Sequence, residues 1–328
     1  MKKNRTSDFF TIVSVFAFFV CILIQAVIPS FAASSPAANE EIFLWPGVAP
    51  GSEGLNLSEI VKDESEDPKI QSRGITKIGK PSITVYMPEQ KNGIAALVVP
   101  GGGYTQNVFD KEGTDIAKWL NDMGITAFVL KSRLPGEGHA DAKHVPLQDS
   151  QRALRIIRSN AVQWGLNPQK VGVVGLSSGG HLASMLGTNY DKKVYVPVDL
   201  VDEESARPDF MVLAYPPVST NARIPQNGLE KTPLSPLAKQ ELYDEYPTDL
   251  QITKDTPKTF IVTADDDPKV PSENAVRFYM GLKKIGIPAE LHIFMNGGHG
   301  FAIRNAKGAV AAWPELCREW MIEIGLFK

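Results

Sequence analysis

The chain has 328 residues, 43% hydrophobic and 22% charged, proportions of a globular fold with room for a sizeable core. Its formal net charge of −3, with no Lys/Arg-rich run beyond the N-terminus, excludes the basic field that nucleic-acid binding needs. Two cysteines, Cys21 and Cys317, are too few for a disulfide framework.

The first segment is basic, MKKNR, and leads into an apolar run from Phe9 to Ile28 and then PSFAASS. Ser30 and Ala32 stand at the small-residue positions of a secretory cleavage site, so residues 1–32 are expected to be a signal peptide. The run is long enough to be an N-terminal membrane anchor instead, and either way the body of the protein is exported. Cys21 follows FFV, a poor match to a lipoprotein acylation site. Residues 33–80 are mixed and polar, with an acidic cluster in VKDESEDP, and are expected to form an N-terminal extension lying on the surface. Residues 81–328 read as one folded domain.

Within that domain short apolar runs alternate with helical patterns. Strands are expected at Ile83–Met87, Ile94–Val99, Ile125–Leu130, Val171–Val174, Phe210–Tyr215, Thr259–Thr263 and Glu290–Phe294. Between them, EGTDIAKWLNDMG carries Ile116, Trp119, Leu120 and Met123 on one helical stripe, stopped by Gly124. PLQDSQRALRIIRSNAVQWG repeats the pattern with Leu154, Ile157, Ala161 and Trp164. Further helices are expected from about Ser178, over Pro271 to Ile285, and from Trp313 to Phe327, where Cys317 reads as a small buried hydrophobe. The alternation predicts an α/β fold, a mostly parallel sheet with helices on both faces and its site at the carboxyl ends of the strands. Residues 217–256, rich in proline and polar residues, are expected to be a lid-like insertion at that edge.

Four motifs along this order carry chemistry. PGGGY places Gly101, Gly102 and Gly103 directly after a buried strand, where backbone N–H groups can face a developing negative charge. The same glycines could simply turn the chain, and Tyr104 after them could line a pocket or pack. VVGLSSGGHLAS contains G-x-S-x-G as Gly175, Ser177 and Gly179, between a strand and a helix, the context in which a tight turn lifts a serine into an exposed, strained position. A glycine-rich turn there could instead hold phosphate, but it lacks a P-loop lysine and dinucleotide-binding spacing. A serine hydroxyl needs an adjacent base, and the base an orienting acid. TADDDPKVP follows a strand and offers Asp265, Asp266 and Asp267, with spacing favouring Asp267 and Asp266 in reserve. As a cation site the three carboxylates lack a second cluster of oxygen ligands. Of five histidines, His292 lies within a strand pattern, whereas His299 in NGGHGF follows that strand on a glycine-rich loop. The order serine, acid, histidine with an upstream glycine loop is that of a serine hydrolase.

PGGGY, the segment DSQRALRIIRSNAVQWGLNPQKVGVVGLSSGGHLAS, TADDDPKVP and GGHGF together resemble the α/β-hydrolase superfamily, in its acetyl xylan esterase and carbohydrate-esterase branch. The resemblance covers about residues 94–327 and makes 81–328 an α/β-hydrolase catalytic domain. It implies Ser177 as nucleophile, Asp267 as acid and His299 as base, with Gly102, Gly103 and Ser178 as oxyanion donors. Pro100 stands where lipase-like relatives have histidine, which points away from them and towards sugar esters. The resemblance thus implies a serine esterase acting on short acyl groups of plant polysaccharide, with no cofactor or metal and no nucleic-acid partner. A broad small-molecule carboxylesterase is the alternative; a non-catalytic binding protein would require the loss of a triad member, and none is missing.

Overall fold

Runs such as AALVV and FMVLA, apolar at every position, suit strands of a sheet covered on both faces. The computed structural model describes residues 35–218 and 237–327. Its strands are β1 Glu41–Phe43, β2 Ile60–Asp63, β3 Arg73–Thr76, β4 Ser82–Tyr86, β5 Ala95–Val99, β6 Asn107–Val108, β7 Thr126–Lys131, β8 Val171–Leu176, β9 Phe210–Ala214, β10 Lys258–Ala264 and β11 Ala289–Phe294. The helices are α1 Asp115–Asp122, α2 Val145–Ser159, α3 Ser178–Thr188, α4 Leu237–Glu245, α5 Glu273–Ile285 and α6 Trp313–Glu323. All seven expected strands are present, each within two residues of its expected limits.

The main sheet has eight strands in the order β1-β4-β7-β5-β8-β9-β10-β11. It is antiparallel at β1, β4 and β7 and parallel from β7 to β11. Alternate residues of β5 feed two cores: Ala95, Leu97 and Val99 join α2, α3 and α5, while Ala96 and Val98 join α1 and α6. The expected α/β fold is borne out. From β5 the chain moves outward to β7 and then returns to β5's other side as β8, so β5 and β8 end side by side where the strand order reverses. Ligands of such sheets bind outside the carboxyl ends at that reversal.

Residues 35–80 depart from the expected surface extension. β1 pairs with β4 as the sheet's edge strand, and β2, β3 and β6 form a second, three-stranded sheet. Leu44, Trp45, Ala49, Ile75 and Ile78 are buried. The Trp45 indole donates to Asp149 Oδ1 at 3.0 Å, and Arg133 donates to the same carboxylate and to Pro50 O and Ser52 Oγ. Polar residues dominate this stretch, but several of its apolar ones are buried, with Trp45 meeting Asp149 of α2 and Arg133 just after β7. The described residues, 35–218 and 237–327, accordingly belong to one compact unit.

The expected leader, 1–32, lies outside the described residues, as does 219–236 of the expected lid-like insertion. The described rest of that stretch is buried in part. Leu242, Tyr243 and Tyr246 are buried, and Tyr246 O accepts from His181 of α3 at 2.8 Å. Among the described residues, no helix is long and apolar enough to cross a membrane.

Candidate active site

β8 ends at Leu176 and α3 begins at Ser178, which leaves Ser177 alone in the turn with φ +53° and ψ −127°. That conformation is costly for a residue with a Cβ and is held by the packing around it. Gly179 makes the turn close: a Cβ there would strike Val99 O, and would lie 2.6 Å from Pro100 O, both backbone atoms of the neighbouring strand's end. Ser177 N donates to Ala214 O of β9 at 3.0 Å, fixing the other side of the turn.

His299 reaches this serine from the loop after β11. Its Nε2 lies 2.8 Å from Ser177 Oγ and its Nδ1 2.7 Å from Asp267 Oδ2. The fully buried Asp267 side chain accepts the Lys269 and Val270 amides on Oδ1 at 2.8 and 2.9 Å, so its carboxylate is an acceptor on both oxygens. Nδ1 therefore carries the ring proton, and Nε2 is the lone pair facing the serine hydroxyl.

The three aspartates have separate partners. Asp265 accepts from Ser272 Oγ at 2.9 Å, and Asp266 Oδ1 accepts the Gly297 and Gly298 amides at 2.8 and 2.7 Å. Asp266 thus clamps the histidine's loop while Asp267 contacts the histidine itself.

The glycine loop after β5 lies against the serine turn. A Cβ on Gly101 would sit 2.6 Å from Leu176 O and 2.7 Å from Ser177 Cβ. Its amide is occupied, donating to Glu112 Oε2 at 2.9 Å. Among the described residues, the amides of Gly102, Gly103 and Ser178 have no hydrogen-bond partner, as an anion site beside Ser177 requires. Tyr104 is committed inward: its amide donates to Ser178 Oγ at 3.3 Å and its hydroxyl lies 2.9 Å from His181 Nδ1. Its ring stands edge-on to those of Tyr243 and His181, with centroids 5.7 and 5.9 Å away.

Several neighbours of the site carry no signal in the sequence. Glu112 lies in a π-turn, Asp110–Thr114, before α1, and its acidic neighbourhood reads as an ordinary helix start. Tyr215 directly follows β9 and sets its ring 5.1 Å from the His299 ring. Lys239, on α4, brings its ammonium within 3.6 Å of where a Gly103 Cβ would lie, and burial pushes its pKa below the usual lysine range. His181 of α3 is fully buried, which pushes its pKa down to about 4. Its Nε2–H donates to Tyr246 O, so Nδ1 accepts from Tyr104.

Residues 83–282 match the BD-FAE family. The chain is 33% identical over 230 residues to the acetylxylan esterase of Xylanibacter ruminicola, covering 68% of this chain and 44% of that one. It is 31% identical over 209 residues to endo-1,4-beta-xylanase B of Butyrivibrio fibrisolvens, covering 64% and 32% respectively. The chain spans less than half the length of these two relatives. Among solved structures, the acetyl ester-xyloside bifunctional hydrolase of Caldicellulosiruptor lactoaceticus aligns with a TM-score of 0.69 at 33% identity. That match covers 89% of this chain and 98% of the other.

Proposed function

Because the chain belongs to the BD-FAE family, we propose that it is a serine esterase removing short acyl groups, acetyl above all, from acetylated xylan and its oligosaccharides. The observation that carries the chemistry is the unbroken relay from Ser177 Oγ through His299 to Asp267, at 2.8 and 2.7 Å. The substrate class is supported by kinship with proteins described as an acetylxylan esterase and an acetyl ester-xyloside hydrolase. Export is supported by the basic, apolar and small-residue succession of residues 1–32.

His299 Nε2 takes the Ser177 proton as Oγ attacks the ester carbonyl. The imidazolium so formed keeps its Nδ1–H on the Asp267 carboxylate. The carbonyl oxygen, now an anion, lies against the amides of Gly102, Gly103 and Ser178, where one donor is worth about 3 kcal/mol of transition-state stabilisation. Collapse breaks the C–O bond, and His299 returns its proton to the departing sugar hydroxyl. A water then attacks the acyl-serine by the same route, giving acetate and restoring the serine. Every proton and every charge is handled by this chain's own groups.

The test is acetate release from acetylated xylo-oligosaccharides by the wild type and Ser177→Ala, with p-nitrophenyl acetate and butyrate in parallel. The wild type should release acetate from the sugar, and the variant should lose about a million-fold in kcat. Turnover confined to the synthetic esters overturns the xylan assignment. A folded wild type that turns over none of these substrates overturns the esterase reading.

A further inference from the structure

Glu112 is a buried acid that the relay does not use. Its residue is 3% exposed, and both carboxylate oxygens are engaged: Oε2 by the Gly101 amide at 2.9 Å and Oε1 by the Tyr215 hydroxyl at 3.2 Å. An apolar side chain would fill this position without the desolvation cost of a buried carboxyl. What the carboxyl adds is its two partners, and both belong to the candidate site. Gly101 begins the loop whose next two amides face the position of the oxyanion. Tyr215 sets its ring 5.1 Å from that of His299 and 4.6 Å from that of Phe301, two residues further along the histidine's loop.

We propose that Glu112 is a positioning residue, a brace that sets the glycine loop and the aromatic support of His299 at one fixed separation. The inference rests on Ser177 being the nucleophile and His299 its base. Glu112 sits in the π-turn Asp110–Thr114, where it is buried and meets the amide of Gly101, eleven residues earlier. The same carboxyl is placed to act on charge. Lys111 from its own turn, Tyr215 from the end of β9 and His299 from the loop after β11 are the titratable groups around it, and Asp267 is the further carboxylate on His299. Burial holds the Glu112 pKa above the ordinary carboxylate value, with the Lys111 and His299 charges and the Gly101 and Tyr215 bonds pulling it back.

Three variants of the full chain test the brace on p-nitrophenyl acetate, each with a melting curve: Glu112→Ala, Glu112→Gln and Tyr215→Phe. Glu112→Ala should lower kcat by about 10- to 100-fold with KM little changed, because the amides and the base are displaced by fractions of an ångström. Glu112→Gln should restore most of kcat, since its carbonyl accepts from Gly101 and its amide donates to the Tyr215 oxygen. Tyr215→Phe, which leaves the ring and Glu112 in place, should lose kcat by a few fold. Wild-type kcat in Glu112→Ala overturns the proposal. So does its failure to fold, if Glu112→Gln and Tyr215→Phe both keep wild-type kcat. Ser177→Ala in the same assay separates the two readings: if it retains turnover, the serine reading fails, whatever the Glu112 variants do.

Discussion

At the residue scale the site depends on which of three adjacent carboxylates does what. Asp267 accepts from His299 Nδ1, and Asp266 accepts two loop amides. Asparagine at 267 can present its amide N–H to Nδ1, which forces the proton onto Nε2 and turns the base towards the serine as a donor. Asp267→Asn should therefore lose about 10³- to 10⁴-fold in kcat with the fold intact. Asp266→Ala removes only the clamp on Gly297 and Gly298, and its loss should be nearer tenfold, as expected for a loosened base. Steady-state kinetics on p-nitrophenyl acetate would rank the two, and equal losses would contradict the division of labour. The choice between Asp266 and Asp267 is open in DDDP because adjacent residues in a turn differ in direction, not in type.

At the element scale α3 is both the base of the serine and a buried polar junction. His181 joins α3 to the Tyr104 loop on one side and to the end of α4 on the other, through Nδ1 and Nε2. Its folded pKa of about 4 lies below the ordinary 6.5, so the unfolded chain binds the extra proton first. Stability from this group is fully present above about pH 6.5 and is lost as pH falls towards 4, by about 3 kcal/mol at most. Urea midpoints measured from pH 7 to pH 4 should fall more steeply for the wild type than for His181→Gln. Glutamine can keep both bonds but takes up no proton, so parallel slopes would remove His181 from the acid response. The motif around Ser177 locates α3 and its serine, yet His181 is legible there only as one more helical residue. Its role requires α4, which is 56 or more positions further along the chain.

At the scale of the whole molecule, a buried ion pair fastens the N-terminal stretch to the sheet and α2. Arg133 and Asp149 are fully buried and bonded to one another at 2.8 Å, with Trp45, Pro50 and Ser52 on the same pair. Removing one partner strands the other charge without water, so Asp149→Ala should cost about 3 to 5 kcal/mol of unfolding free energy. A urea midpoint close to that of the wild type would show that this junction does not secure residues 35–80. The seven strands, the helices α1, α2, α3, α5 and α6, the serine turn and the late histidine loop are all legible in the order of the residues. Strand and helix periodicity and the glycines of a tight turn are local properties, set by neighbours within a few residues. Which aspartate meets His299, where Glu112 points and whether residues 35–80 join the core become visible only once the chain is folded. Those outcomes depend on contacts between segments far apart in the chain, such as Trp45 with Asp149, 104 positions away, and a polar stretch gives no local sign of the few anchors it will bury.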